Sequence, residues 1–516
     1  MKLKFKYDDL IFVMLFINGI ALTAESIYGV NTYVRPFFLG VSAILIIRAF
    51  YFRVKVTQLK TLVGLSFLGN EVLLMLIPIL ILPSFLTVFD RLKIRPPAML
   101  ALLFMVYSVG MLVVSNVREF SLLTIGFWFI TFGSFFVLFL YYSRFSFTQS
   151  EIEEVFGFFK KVILLQIPIM LVQAIIHRDF TPGDFWTGSA GNAIVPGFYF
   201  CIYLAYIFVR YFINLDRKVN FLSIFKNNLV VLFFFAVLMY FNDSKMIIIV
   251  FLIGAMIYLL WLLVLRFLTR LQPIMLLKTI FAFAFVSLTV AATYLGSIWY
   301  VNTTLGTNRG FDTYSDYTAD DFDESGANAK YILYRRVYVE RFYDNPSSWW
   351  FGAGPGKFAS KTSNILAYDV LYKTERQTKL PIFIKPYSSP EVKKYMADLW
   401  TEQIARSMRW RSSMLSMPFG GMITIKGEYG FVGLIIFLFM IYGFSLYLLK
   451  KAFKIENWRL KDWAIVLSIT WFTLPMHMLF ENYQDRGYMM IPLFTLTAAL
   501  CAMTARKDLN TAQVQA

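Results

Sequence analysis

The residues best suited to chemistry lie between Lys330 and Phe358. The stretch opens Lys330-Tyr-Ile-Leu-Tyr-Arg-Arg-Val-Tyr-Val-Glu-Arg-Phe-Tyr, which interleaves cations with aromatic rings. Asp344-Asn345-Pro346 ends it, because a proline disfavours helix in the residue before it. Trp349-Trp350-Phe351-Gly352-Ala353-Gly354-Pro355-Gly356-Lys357-Phe358 follows. Arg335, Arg336 and Arg341 beside such a turn suit a diphosphate, which arginine grips with two N–H groups at once. Gly352, Gly354 and Gly356 free the backbone for close approach, and N–H groups exposed there can hold phosphate oxygens. The plainer reading is a surface pair Arg336–Glu340, four residues apart on a helix, and a tight turn beside a Trp anchor at a membrane interface.

Other polar groups are sparse. Asn242-Asp243-Ser244-Lys245 separates two apolar runs, and a lysine at that depth is either functional or snorkels to the surface. The segment from His177 to Asn192 joins two further runs. The acidic run Asp312, Asp316, Asp320, Asp321, Asp323 and Glu324 lacks the spacing of a calcium loop and reads as solvated. His177 and His477 are the only histidines, too few for a zinc site or a Ser-His-Asp triad. There is no phosphate-binding P-loop, dinucleotide fingerprint or Cys-x-x-Cys pair.

The elements that must position these groups are membrane helices. Of the 516 residues 58% are hydrophobic and 16% charged, with mean hydropathy +0.61, well away from soluble domains at about 25% charged. Apolar runs of membrane length cover 97–114, 120–142, 155–176, 193–213, 245–267, 279–300, 429–449 and 462–480. Weaker runs cover 10–24, 34–52, 61–89, 228–241 and 487–503. Alternating ten-residue strands are missing, which excludes a β-barrel. The predicted fold is an all-α integral membrane protein of about 12–14 transmembrane helices. An N-terminal bundle (1–300) precedes one large external loop (301–427), C-terminal helices (428–503) and a cytoplasmic tail (504–516). An even span count requires 56–90 to form a hairpin turning near Gly69-Asn70, or one weak run not to cross.

Net charge is +17, and much of it sits in short connections: Arg91/Lys93/Arg95, Arg217/Lys218/Lys226, Arg266/Arg270/Lys278 and Lys450/Lys451/Lys454/Arg459/Lys461. That is the positive-inside pattern, not a nucleic-acid footprint, and it places the large loop outside. The loop holds 17 Lys and Arg against 13 Asp and Glu, a local balance of +4.

The order of these sites resembles the O-antigen ligase/polymerase family of Wzy and WaaL type, together with related protein O-oligosaccharyltransferases. Ser244-Lys245 lies where that family has Ser-Arg at the start of a span. Thr187-Gly188-Ser189-Ala190-Gly191-Asn192 looks like its Gly/Asn loop. Lys330 to Phe358 resembles its Arg–aromatic, Pro and Gly-x-Gly-x-Gly-x-Phe stretch, and Arg341 with Gly352 fits an Arg-x10-Gly spacing. Glu428-Tyr-Gly430-Phe-Val-Gly433 is similar to the Glu-x-Gly-x-x-Gly that opens the next span. The match covers roughly 185–500.

The resemblance implies a glycosyltransferase of the bacterial inner membrane with its large loop in the periplasm. Its donor is a glycan on undecaprenyl diphosphate; no nucleotide sugar, metal or other cofactor is implied. Membrane lipids are its surroundings, and a chain-length regulator fits as a partner. Lys245, Lys330, Arg335, Arg336 and Arg341 are the cations expected to meet the diphosphate, with Gly188 and Asn192 on the substrate side. Ligases carry a His-Asn pair ahead of the glutamate, and here that region reads Ser416-Met-Pro-Phe-Gly-Gly421. The departure favours a polymerase, with Glu428 as the nearest carboxylate; as the opening residue of a helix it would equally favour the positive end of the dipole. Within the class the rival is a ligase. Outside it stand a flippase for the same lipid-linked glycan and a non-catalytic assembly subunit. Transporters often carry paired repeats and broken spans around a central site, whereas here the polar residues concentrate in one late loop.

Overall fold

The computed structural model describes most of 7–68, 95–116, 122–177, 186–210, 245–269, 329–367, 388–399, 420–480 and 486–503, with fragments of 77–81 and 228–238. Several expectations lie outside the described residues: the turn at Gly69-Asn70, Asn242 to Ser244, the run 279–300, the acidic segment Asp312–Glu324, Ser416 to Phe419 and the tail 504–516. Within them the protein is helical, and the one β-feature is an isolated bridge between Phe147 and Met503.

The helices in chain order are α1 (Tyr7–Tyr28), α2 (Val34–Tyr51), α3 (Lys55–Ser66), α4 (Pro96–Asn116), α5 (Leu122–Ser143, with a π turn at Phe129–Gly133), α6 (Gln149–His177), α7 (Ile194–Phe208) and α8 (Lys245–Thr269). The loop contributes α9 (329–344, with a π turn at Arg336–Glu340) and the short α10 (Pro346–Phe351), α11 (Lys361–Leu366) and α12 (Pro390–Tyr395). The chain then runs through α13 (Gly421–Ala452), α14 (Trp458–Phe480) and α15 (Gly487–Ala502). Five helices are long and apolar enough to cross a bilayer: the first part of α1, then α4, α5, α6 and α13. The expected total of 12–14 spans is not reached among the described residues.

Sidedness along α13 shows why these segments are helices. Leu434, Phe437, Met440, Ile441, Phe444 and Leu448 are buried against α14 and α4, while Ile435, Phe439 and Leu446 point outward. That is the three-to-four-residue alternation of a helix with one packed and one lipid-facing side. Helix α3 differs. Its 12 residues span roughly 18 Å, too short to cross. It stops inside the protein, where Ser189 Oγ donates to Phe67 O at 2.8 Å and Asn18 Nδ2 to Leu68 O at 3.2 Å. A helix end away from water needs such partners.

The two ends of the bundle differ in character. At one end Arg95 donates to Cys501 O, Lys451 donates to Cys501 O at 2.7 Å, Arg459 pairs with Glu153 and Lys55 with Glu151, both at 2.9 Å. This brings together Arg95 with Lys451 and Arg459, from two of the four basic connections expected from the sequence; the connections at 217–226 and 266–278 lie outside the described side chains. The large loop packs on the opposite end of the same helices. Lys357 Nζ donates to Ser115 O at 2.6 Å near the close of α4, and Tyr334 OH to Leu479 O at 2.7 Å at the close of α14.

Charge at one end and loop at the other predict sidedness. A cysteine at Lys393 should label with an impermeant maleimide on intact cells, and one at Lys454 only after permeabilisation. The reverse pattern would invert the orientation.

Candidate functional site

The site is built where the glycine-rich turn meets a break in α13. Gly430 has φ +70 and ψ −170, so the helix is interrupted one residue after Tyr429. Side chains are excluded on both sides of the contact. A Cβ on Gly430 would run into Trp350 O, and one on Gly352, itself at φ +88, into Glu428 O. Glycine at both positions lets the two backbones touch.

The break frees carbonyls, and the turn supplies the donors. Ala353 N donates to Gly427 O and Gly354 N to Glu428 O, both at 2.9 Å. The Glu428 carboxylate, 1% exposed, accepts from Gly356 N at 2.8 Å and Phe358 N at 3.2 Å. Gly352 N and Lys357 N close local turns onto Ser348 O and Gly354 O. The turn is therefore an anion cradle whose anion is Glu428. Amides expected to face phosphate oxygens are spent within the chain. The expected helix boundary also moves: α13 starts at Gly421, so Glu428 does not open a helix but closes the short segment before the break. Tyr429 fastens that segment to the bundle, its carbonyl accepting from Tyr107 OH and its hydroxyl from Trp128 Nε1, each at 2.7 Å.

Two basic side chains lie under this junction. Arg341, 0% exposed, donates from one terminal nitrogen to Gly427 O at 2.8 Å and from the other to Ser348 Oγ. Its plane lies near the Phe358 ring, and its Nε has no hydrogen-bond partner. Lys426, also fully buried, donates to Trp349 O at 2.6 Å and sits 3.8 Å from the centre of a Trp349 ring. Among the described residues neither has a carboxylate within ion-pair distance. Burial pushes the Arg341 guanidinium down to about 10, so it stays charged at pH 7.

The remaining expected cations are arranged differently. The π turn pairs residues five apart, so Arg336 is not bonded to Glu340. Arg335 approaches Glu340 instead, at 3.6 Å, and Arg336 reaches Asp398 at 2.8 Å and Tyr395 O at 3.1 Å. Burial pushes the Asp398 carboxyl up, but the Arg336 hydrogen bond and charge hold it below the usual range. Lys330 lies in the first turn of α9, and Lys245 is the first residue of α8.

The Gly/Asn loop serves as a structural joint. Gly188 N donates to Gln173 Oε1 at 3.0 Å, Ser189 N to Gln166 Oε1 at 2.9 Å, and Asn192 Oδ1 accepts from Ile194 N at the start of α7. His477 is buried between Phe198 and Phe251. Lys426 and Ser348 were not legible as site residues. The available signal was a lysine two positions before Glu428 at the head of an apolar run.

No protein-family model matches this chain, and no curated protein matches it.

The junction sets a stability test. Glu428→Ala strands two buried amides, each costing about 1–3 kcal/mol, so detergent-solubilised protein should lose about 2–6 kcal/mol and unfold at lower temperature. Glu428→Gln keeps one acceptor oxygen and should fall between. Unchanged melting of both would mean that the carboxylate does not hold the turn.

Proposed function

We propose that this protein is a membrane-embedded glycosyltransferase of Wzy-like type, joining oligosaccharide repeat units carried on undecaprenyl diphosphate at the loop-bearing, periplasmic face of the bacterial inner membrane. The observation that carries this reading is the buried basic pair Arg341 and Lys426, adjacent through Gly427 and Trp349, with no carboxylate within ion-pair distance of either among the described residues. A structural charge at such depth is normally paired, since an uncompensated one costs several kcal/mol. With no direct ion pair, the Arg341 guanidinium keeps a positive potential, tempered by Glu391 nearby, that suits a lipid diphosphate better than a neutral or cationic substrate.

The chemistry fits that potential. An acceptor hydroxyl attacks the anomeric carbon, the bond from that carbon to the phosphate oxygen breaks, and its electron pair leaves on the diphosphate. The hydroxyl proton goes to solvent. Negative charge therefore grows on the leaving group as the bond opens, and fixed cations stabilise that state without reorganising. A phosphate charge about 7 Å from one of them gains roughly 2–3 kcal/mol at an effective dielectric of about 20. Arg336, Arg335, Lys330 and Lys245 are the further cations proposed for substrate. The glycine turn acts by holding α13 and α9 together rather than by touching phosphate. Polymerase is preferred to ligase because the stretch just ahead of Glu428, Ser416 to Gly421, holds no histidine.

Lys426→Met keeps the length of the side chain and removes the charge. In a reconstituted assay with lipid-linked repeat units it should slow chain extension by about 10- to 100-fold, as 1.4–2.7 kcal/mol of lost stabilisation requires, while the protein remains folded in the membrane. Lys426→Arg should retain part of the rate. A Met variant that polymerises normally would falsify the charge-stabilisation reading. In a deletion strain, single capped repeats are expected; long chains left on the carrier would instead identify a ligase.

A further inference from the structure

The loop leaves an apolar face uncovered. Phe342 is 41% exposed, Tyr343 77%, Trp350 43% and Phe351 52%, with Val339 beside them at 50%. These residues form one surface. Ring contacts run from Tyr343 to Phe342 at 5.4 Å, Phe342 to Trp349 at 5.1 Å, Trp349 to Phe431 at 5.0 Å and Trp350 to Phe431 at 5.6 Å. Five such side chains, each of 150–250 Å², expose roughly 500 Å², near the upper range for a patch left open to water.

The surface continues a face already assigned. Phe431, Ile435 and Phe439 follow at four-residue intervals on α13, and the outward side chains of Ile435, Phe439 and Leu446 are those a spanning helix turns to lipid. Phe431 is thus the top of the lipid-facing stripe, and the α9–α10 rings sit on it. Depth agrees. From Phe431 to the exposed Lys450 is 19 residues, about 28 Å of helix, close to the hydrocarbon thickness of about 30 Å. With Lys450 at one boundary, Phe431 and the rings on it lie at the other. Trp and Tyr favour that level because it offers an apolar layer to the ring and water to the polar edge. The polar margin is also present: Asp344, exposed beside Tyr343, pairs with Lys394 at 2.6 Å.

We infer that the α9–α10 hairpin is an interfacial membrane anchor, with Phe342, Tyr343, Trp350 and Phe351 seated in the headgroup–acyl boundary of the outer leaflet. The lipid bilayer is its partner, and the surface stands whether or not the chain transfers glycans. The seating fixes depth as well. Arg341, between Glu340 and Phe342 on the same hairpin, and Lys426, under Trp349, are held at the level of the lipid headgroups.

Site-directed spin labelling of the full chain in phosphatidylethanolamine–phosphatidylglycerol vesicles tests this. Tyr343→Cys and Phe351→Cys carry the nitroxide. Lys393→Cys serves as the water reference and Phe439→Cys as the lipid reference. Collision with oxygen should exceed collision with a water-soluble nickel chelate at 343 and 351, with a ratio shifted from the 393 value toward the 439 value. Ratios equal to that at 393 would place the rings in water and overturn the anchor. Protection from both reagents, or dipolar broadening between labels, would overturn it in favour of a protein partner or a second copy. Tyr343 is the most exposed of the set, so its variant reports even if Phe351→Cys disturbs packing.

Discussion

A left-handed residue inside a helix leaves carbonyls with nothing to accept, and a segment packed within the protein has no water to replace the lost bonds. A buried backbone group left unsatisfied costs about 1–3 kcal/mol. Here the residue is Gly430, and the donors that repair the break come from a turn about seventy positions earlier in the chain. Ala353 and Gly354 satisfy the main-chain oxygens of Gly427 and Glu428, and Gly356 and Phe358 hold the side chain of Glu428. The rest of the region depends on that contact. It fixes where α9 and α10 lie and brings Arg341 onto Gly427. It also turns Lys426 beneath Trp349 and sets Phe431 against two tryptophans.

The contact also decides which kind of group can meet an anion. A glycine turn rich in free amides is a general solution to phosphate binding, but each amide serves one acceptor well. With Glu428 in the cradle, the proposed lipid diphosphate would have to be met by side chains. Two of those nearest the junction, Arg341 and Lys426, hydrogen-bond only to neutral oxygens and lie against rings, and Glu391 acts on Arg341 only from beyond ion-pair distance. A neutral partner relieves the loss of hydration without cancelling the charge, so the field survives burial. Arg336 is the contrary case, since Asp398 offsets most of its charge at close range.

Much of the framework was legible in the sequence because hydropathy reports a solvent, and the solvent is what builds these helices. The run 97–114 became Pro96–Asn116, 120–142 became Leu122–Ser143, and Arg95, Lys451 and Arg459 lie at one end. The turn at 352–356 stood out because three glycines in five residues have few other uses. Its partner did not. Which oxygen an amide will bond is a property of two chain segments brought together, and nothing local to Gly356 points to Glu428. The π turn is hidden for a similar reason. One extra residue per turn shifts Arg335, rather than Arg336, toward Glu340, and the residue types are the same in either helix. Lys426 was not singled out because it stands just ahead of the apolar run 429–449, and only its burial under Trp349 distinguishes it.

Depth ties these pieces into one argument. A polar loop in water could place cations at any height above a membrane, and an aromatic hairpin seated on Phe431 cannot. It fixes Arg341 by covalent continuity, being the residue before Phe342, and fixes Lys426 through Trp349, whose ring stacks on Phe431 at an interplanar angle of 18°. The phosphates of a membrane lipid and of a lipid-linked diphosphate lie in the same headgroup layer. Cations held at that level need no long reach to meet them, and the low dielectric below strengthens their field on the membrane side. On the proposed anchor, the broken helix, the occupied cradle and the exposed rings share one consequence: the buried Arg341 guanidinium is held at the depth of the lipid headgroups.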